Sequence, residues 1–267
     1  MVKLIDGKKI AEKVKDKIAL EIFEFKNDRP NLAIILVGER EDSKLYVSLK
    51  EKESVKVGID THTYRLLENV SETELLEVID FLNHDPQVDG ILIQLPLPKN
   101  LDTNKIIKAL DPEKDVDGFH PKHPNYILSP VLAAVKASLE KTQINFKESS
   151  ACLLYNADIF GAGLKETLEK LGISNFLSRE KMTEADIIVS AIAKPENIKA
   201  ENIKEGAIII DISTVKVEGK VKGDADFESL KNKASFITPV PGGIGPMTIA
   251  FLLKNVLEIF KRKNNFK

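Results

Sequence analysis

Four stretches of this chain carry residue types at spacings suited to small-molecule chemistry. In the first, Ser43 to Lys52, Tyr46 and Lys50 stand four apart and share a face if the segment is helical. Val57 falls on that face as well. Lys44, Ser48, Lys52 and Lys56 step by four along a different, solvated face. Lys50 is therefore the odd lysine, aimed at the apolar and aromatic side. Desolvation there lowers an ammonium pKa and makes an ammonium–amine switch usable near neutral pH. The same spacing also suits a lysine whose stem lies along apolar surface while its charge reaches water.

The second stretch is Gln94-Leu95-Pro96-Leu97-Pro98, at the end of an apolar run. In open parallel sheets ligands bind outside the carboxyl ends of strands. A glutamine closing such a run needs polar partners, from a ligand or from a neighbouring loop. The third is Asp115-Val116-Asp117-Gly118, two carboxylates around one valine beside a glycine turn. Such a pair serves acid/base work, an N–H-rich ligand, or simply the capping of a turn. No further ligand cluster stands out near it, so no metal is expected. The fourth, Thr238 to Thr248, combines Pro239, Pro241 and Pro246 with Gly242, Gly243 and Gly245. Glycines permit close backbone approach, prolines stiffen the rest, and the segment leads into a helix whose N–H groups favour a ligand. A rigid connector between domains is the other reading.

The elements that must position these residues alternate between strand and helix. Leu32–Val37, Thr61–Leu66 and Gly90–Leu95 read as strands, and Ser43–Val57 and Thr103–Leu110 as helices. Ser71, with Glu74 three residues on, opens another helix with a capping box. Buried runs without alternation, separated by helices, indicate a parallel sheet covered on both faces. The pattern restarts after 118–128 with a helix over Val131–Lys141 and strands at Ala151–Tyr155, Ile187–Ile192 and Ala207–Ile212. Helices are expected from about Gly161 to Leu171 and from Met247 to Lys263. The fold class is thus α/β, with a first domain over 1–120 and a second over 121–246.

The bulk numbers narrow the function classes. A chain of 267 residues with 43% hydrophobic and 30% charged residues is ordinary for a globular enzyme. A net charge of −2 argues against nucleic acid as a partner. One cysteine, Cys152, allows no intramolecular disulfide and fits a reducing compartment. No signal-like segment and no apolar stretch of about eighteen residues is present, so no membrane partner and a cytoplasmic location are expected.

Taken in order, Leu4-Ile5-Asp6-Gly7-Lys8, VGEREDSKLYVSLKEK, ILIQLPLP, PEKDVDGFHP and ITPVPGGIGPMT resemble the bifunctional methylenetetrahydrofolate dehydrogenase/methenyltetrahydrofolate cyclohydrolase family over nearly the whole chain. The resemblance implies an N-terminal folate-binding catalytic domain, to which the final helix returns, and a Rossmann-like NAD(P)-binding domain, with an interdomain cleft. It implies hydrolysis of 5,10-methenyltetrahydrofolate to 10-formyltetrahydrofolate and NADP-dependent oxidation of 5,10-methylenetetrahydrofolate. Lys50 would be the central cyclohydrolase group, oriented by Gln94, with Tyr46 packed on the folate and Asp117 bonded to its pterin ring. Leu95, Pro96, Pro241, Gly242, Gly243 and Gly245 would complete the substrate site. A homodimer formed through the cofactor domain is also implied.

The cofactor half departs from the family pattern. Its first turn, commonly Gly-Arg-Ser, here reads Tyr155-Asn156-Ala157, followed by Asp158, Ile159 and Gly161. Tyr155 adds bulk and Asp158 negative charge where a dinucleotide's phosphates approach, so weakened NADP binding is expected. A usual Pro-Cys-Thr-Pro segment is replaced by Leu128-Ser129-Pro130-Val131. A Cys-His-Ser-like segment contracts to Leu177-Ser178-Arg179-Glu180. Arg179 is the only arginine between residues 66 and 261, hence the only local guanidinium for a phosphate. Ala191 and Ile192 close the next strand, while Ala193 and Ser213 stand where the family commonly has glycine. Three readings stay open: an enzyme with both activities, a cyclohydrolase with weak or lost dehydrogenase activity, and a silent folate-binding protein. Retention of Tyr46, Lys50, Gln94 and Asp117 argues against the last.

Overall fold

The computed structural model describes residues 2–26 and 28–266. β1 (Lys3–Leu4) and α1 (Gly7–Glu24) lead into β2 (Asn31–Val37), α2 (Glu41–Val57), β3 (Asp60–Leu66), α3 (Glu72–His84), β4 (Gly90–Ile93) and α4 (Thr103–Ala109). Next come α5 (Pro130–Glu140), β5 (Ser150–Tyr155), α6 (Asp158–Leu171), β6 (Asn175–Leu177), β7 (Ile187–Ala191) and β8 (Ile208–Asp211). The hairpin β9 (Val215–Val217) and β10 (Lys220–Lys222), then α7 (Phe227–Leu230), β11 (Phe236–Ile237) and α8 (Ile244–Lys263) complete the chain.

The chain divides into two compact units, each assembled from separate segments. Glu12–Pro130 joins Ile249–Lys267, and Met1–Ala11 joins Val131–Thr248. The dividing points fall inside α1, after the first residue of α5, and inside α8.

The unit containing Lys50 has a three-stranded parallel sheet in the order β3-β2-β4. β2 lies in the middle, and Leu32 to Val37 are all buried. Leu32, Ile34 and Leu36 pack with Ile18 and Ile22 of α1 and with Leu252, Leu253 and Val256 of α8. Ala33, Ile35 and Val37 face the other way, onto Leu75, Ile79 and Leu82 of α3 and Ile106 of α4. Both faces of the strand are covered, which is why its sequence shows no polar alternation. Ser71 caps α3 as its sequence predicts. Its hydroxyl accepts from the Glu74 N–H while the Glu74 carboxylate accepts from the Ser71 N–H.

The second unit contains a six-stranded sheet in the order β1-β11-β8-β7-β5-β6, with every pairing parallel. β5, α6 and β6 form one βαβ step, and β7 lies on the other side of β5. The strand order therefore reverses between β5 and β7, the position where doubly wound sheets bind ligands. Two features differ from the sequence reading. β1 belongs to this sheet through its pairing with β11, not to the unit that carries most of the N-terminal half. β1, β6 and β11 run only two or three residues, too short for a periodicity to register. Helix α8 also begins at Ile244, three residues ahead of the expected Met247.

Asn255 sits within the apolar face of α8 and is itself buried. Its amide donates to the carbonyls of Val116, at 2.9 Å, and Leu128, at 3.0 Å. Replacing it with leucine leaves both carbonyls without that donor. We expect Asn255→Leu to lower the unfolding free energy by about 1–3 kcal/mol in urea titrations, the usual cost of unsatisfied buried polar groups.

Candidate active site

Lys50 lies on the inward side of α2. The buried residues of that helix are Ser43, Val47, Ser54 and Val57, and Lys50 falls in the same row. This corrects the face assigned from Tyr46: the row that buries Lys50 is 43-47-50-54-57, and Tyr46 flanks it, 37% exposed. Leu45 and Leu49 are also exposed beside it, so Tyr46 presents its ring from an apolar surface. Lys44, Lys52 and Lys56 occupy the outer side, Lys44 paired with Glu39 and Glu41, Lys56 with Glu53.

Gln94 follows directly from β4 and is buried. Its Oε1 accepts from Lys50 Nζ at 2.9 Å, and its Nε2 donates to the Leu95 carbonyl at 2.7 Å. The second bond sets the amide orientation, so the oxygen is the atom offered to the lysine. Leu95 is partly buried and Pro96 exposed as the chain leaves the sheet.

The paired aspartates prove to have different duties. Asp115 is buried and builds the turn: its carboxylate accepts from the N–H groups of Asp117, Gly118 and His120, at 3.1, 3.1 and 2.6 Å. Gly118 takes φ +64, with Ile127 and Ser129 close by. Val116 between the aspartates is buried against Gly90, where a Cβ would come 2.4 Å from its Cγ1. A bridge between Ile91 and Asp115 adds this segment alongside β4. That juxtaposition brings Asp117 to the carboxyl end of the strand where Gln94 emerges.

Asp117 and Lys50 interact electrostatically. Burial depresses the Lys50 ammonium below the ordinary lysine range, while the Asp117 charge pulls it back up. Burial lifts the Asp117 carboxyl to about 6, opposed by Lys50 and aided by Asp115. Asp117 keeps part of its surface accessible, so its carboxylate is both desolvated and reachable. The result is an amine and a carboxyl whose proton affinities have been drawn toward neutrality, the condition for proton transfer near pH 7.

In the second unit, Pro241 is exposed, Gly242 takes φ +109, and Gly243 is buried. A Cβ on Gly243 would lie 2.6 Å from the Pro239 carbonyl oxygen, and one on Gly7 would lie 1.8 Å from the Gly243 oxygen. Here two backbones meet, and glycine is the residue both require. Gly245 has open space and no such constraint.

The sequence-predicted cofactor residues lie at the carboxyl ends of β5 and β7, with Ser178 and Arg179 just after β6 and Ser213 just after β8. Tyr155, Asn156 and Ala157 are exposed there. Asn156 Nδ2 donates to the Ile192 carbonyl at 2.8 Å, tying the two sides of the reversal point together. Ala157 caps α6 with no side-chain hydrogen bond, leaving the first-turn N–H groups for an external acceptor. Ile159 is 85% exposed. The Tyr155 ring lies against Gly161, where a Cβ would come 2.2 Å from its Cζ. Much of the tyrosine's bulk is thus laid along α6, which the sequence reading did not anticipate. Asp158 does stand in the first turn. This set of donors at a reversal point fits a dinucleotide.

Residues that sequence reasoning missed form the support beneath. Asp224, fully buried, accepts from the hydroxyls of Ser190 and Ser213 at 2.6 and 2.7 Å, and from the N–H groups of Ile192 and Lys194 at 2.9 and 2.7 Å. Ser213 in turn accepts from the Ala193 N–H at 3.1 Å. Asp211 accepts from the Ser213 and Ala225 N–H groups, and burial holds its carboxyl up at about 6. Ala193 adopts φ +53, the left-handed backbone that favours glycine. An aspartate amid the hydrophilic run at 222–226 carries no sequence signal of burial. Asn255, also missed, does carry a signal: it is a lone amide on an apolar helix face. Among the described residues no group of three or more metal-binding side chains occurs.

Comparison with known proteins also finds two parts, each continuous in sequence. A family model described as "Tetrahydrofolate dehydrogenase/cyclohydrolase, catalytic domain" matches residues 5–117, and one described as "Tetrahydrofolate dehydrogenase/cyclohydrolase, NAD(P)-binding domain" matches residues 130–264. "Bifunctional protein FolD" of Sulfurihydrogenibium sp. is 42% identical over 97% of this chain and 98% of its own length. The crystal structure of the bifunctional enzyme FolD from Campylobacter jejuni superposes with TM-score 0.93 at 33% identity, covering 98% of this chain and 99% of that one. The Trypanosoma brucei N5,N10-methylenetetrahydrofolate dehydrogenase-cyclohydrolase, complexed with NADP cofactor and inhibitor, gives TM-score 0.90 at 30% identity, with 98% of each chain covered.

Reductive 13C-methylation followed by NMR titration should give Lys50 a midpoint below the exposed lysines. Asp117→Asn, by removing the one charge that raises it, should move that midpoint lower still; an upward movement would contradict the assignment.

Proposed function

The chain belongs to the tetrahydrofolate dehydrogenase/cyclohydrolase family, and on that premise we propose that it hydrolyses 5,10-methenyltetrahydrofolate to 10-formyltetrahydrofolate and oxidises 5,10-methylenetetrahydrofolate with a nicotinamide dinucleotide. The observation that carries the reading is the 2.9 Å bond from Lys50 Nζ to Gln94 Oε1, with the Asp117 charge beside it.

In the hydrolytic step water adds to the methenyl carbon, its C–N5 bond breaks, N5 gains a proton, and one proton is released. Lys50 manages these protons, since its depressed pKa lets the amine accept one and the ammonium return it. Gln94 holds Nζ in place through an oxygen whose orientation the Leu95 carbonyl sets. Asp117 accepts an N–H of the pterin, and Tyr46 packs on the folate with Leu95 and Pro96 beside it. Pro241, Gly242, Gly243 and Gly245 supply further substrate contacts. A bound nicotinamide dinucleotide supplies the hydride acceptor for the oxidation. Tyr155, Asn156, Ala157, Ile159, Gly161, Ala191, Ile192 and Ser213 line its site, with Ser178 nearby. NADP is the form favoured.

We assign the folate role to the Lys50 unit and the cofactor role to the unit with the six-stranded sheet. Among the described residues no helix is long and apolar enough to cross a membrane. We further infer a cytoplasmic enzyme acting as a homodimer through its cofactor unit, without a nucleic-acid partner.

Two assays on one preparation test the reading: hydrolysis of methenyltetrahydrofolate, and NADP- or NAD-dependent oxidation of methylenetetrahydrofolate. Lys50→Met should reduce hydrolysis by on the order of 10²–10⁴, the usual contribution of a positioned acid/base, and leave dinucleotide affinity unchanged. Undiminished hydrolysis by that variant would sink the assignment. Hydrolysis should also fall as pH drops through about 6, where Asp117 gains its proton. Asp117→Asn should flatten that acid limb while lowering the rate throughout.

A further inference from the structure

The backbone at Asp117 is held from two directions. The peptide unit between Val116 and Asp117 is planar, so holding its two polar ends fixes its plane. Its N–H donates to Asp115 Oδ1 at 3.1 Å, and its carbonyl accepts from Asn255 Nδ2 at 2.9 Å. The next peptide is held as well, through the Gly118 N–H, which donates to the same Asp115 oxygen at 3.1 Å. With the peptides on both sides of its Cα fixed, the direction in which Asp117 points its Cβ is fixed too.

Asn255 reaches this peptide from near the other end of the sequence. It is 7% exposed and stands on α8 among Leu252, Leu253, Val256 and Ile259, which are buried in the core beneath β2. A carboxamide has two N–H donors, and both are engaged here. The second goes to the Leu128 carbonyl at 3.0 Å. Residues 117–127 leave and return between these two carbonyls, so one side chain closes the loop at both ends. The two ends lie close together: a Cβ on Gly118 would come 3.3 Å from Ile127 Cγ2 and 3.4 Å from the Ser129 nitrogen. An aliphatic side chain at 255 would continue the apolar row of α8. What the amide adds is its hold on Val116 and Leu128.

The separation of the Asp117 carboxylate from Lys50 depends on that hold. Lys50 is carried by α2, and Gln94 follows directly from β4, elements that the loop does not form. Asp117 stands beyond the last contact of its segment with the sheet, the single bridge between Ile91 and Asp115 and a Val116 N–H that donates to the Ile91 carbonyl at 3.5 Å. A carboxylate that drifts from this place acts more weakly on the lysine charge and meets a bound ligand in the wrong geometry. Lys50, Gln94, Asp117, Leu128 and Asn255 all belong to one compact unit.

We propose that Asn255 is a positioning residue of the active site: by holding the Val116 and Leu128 carbonyls from α8, it sets where the Asp117 carboxylate stands against Lys50 and the substrate. The proposal rests on the role given to Asp117 in the hydrolysis.

Two measurements on folded enzyme separate this role from a purely structural one. In Asn255→Ala, kcat/KM for methenyltetrahydrofolate should fall by on the order of tenfold to a hundredfold, the scale of a small misplacement, with KM raised. In an Asp117→Asn background the same substitution should cost less than about twofold, because the group that it places is already gone. The second measurement is the titration midpoint of 13C-methylated Lys50. Asn255→Ala should lower it toward that of Asp117→Asn, since the charge that raises it has drawn away, and should add nothing in the double variant. Asn255→Ser, whose hydroxyl donates to one carbonyl only, should fall between, and it carries both measurements if the alanine variant does not fold. Ile79→Val, in the core on the other face of β2, controls for lost stability and should leave both readings at their native values. Equal kinetic losses in the two backgrounds, or a Lys50 midpoint unmoved in both Asn255 variants, would overturn the proposal. A native protein without hydrolytic activity would remove the proposed function instead, and the Lys50 midpoints would still decide whether Asn255 places Asp117.

Discussion

The Lys50 site depends on one constraint: an ammonium taken out of water must be held by partners that do not neutralise it completely. A direct buried carboxylate would fix the proton on the lysine and end its usefulness as a base. Gln94 instead supplies a neutral acceptor at 2.9 Å, and Asp117 acts on the charge electrostatically. Much of the surrounding unit serves this balance. β4 delivers Gln94, the 43-47-50-54-57 row of α2 presents the lysine, and Asp115 spends its carboxylate on the turn that carries Asp117.

The arrangement has a thermodynamic cost that the rest of the fold offsets. Asp117 and Asp211 both have folded proton affinities raised to about 6, above the ordinary aspartate value of 3.8. A carboxyl shifted upward binds protons more tightly when folded, so its relative contribution to stability is best at low pH and is lost as pH rises from about 4 to about 6. At neutral pH each ionised carboxylate therefore opposes folding. The apolar packing on both faces of β2 offsets this burden on the Lys50 side. On the other side, Ser213 and Ala225 donate their N–H groups directly to Asp211.

Legibility in the sequence followed the length scale of the signal. β2, α3 and α6 were readable because seven or more residues repeat one pattern or carry a cap. β1, β6 and β11 offered two or three residues each and were not. Lys50 and Gln94 could be singled out as polar residues in places that disfavour them, and Asp117 as one of a carboxylate pair beside a glycine turn. Which neighbours buried Lys50 could not be read from Tyr46, because the helix turns the aromatic to the flank. Asp224 was illegible for the opposite reason. It lies in a hydrophilic run typical of surface, and only the fold closes four donors over it. The replacement of a first-turn glycine by Tyr155 looked like an obstruction until Gly161, six residues on, proved to receive its ring.

The division points inside α1 and α8 bear on how the molecule is made. During synthesis, the strands of the Lys50 unit leave the ribosome long before Leu252, Leu253 and Val256, which cover one face of β2. Until α8 emerges, that face is open and the Val116 carbonyl lacks the Asn255 amide. The first strand, likewise, waits for β11 near the other end of the chain. Neither unit can complete its core as a nascent half. The core beneath α2, the helix that carries the active lysine, thus closes only when translation is almost finished, and the two units mature together rather than in the order of the codons.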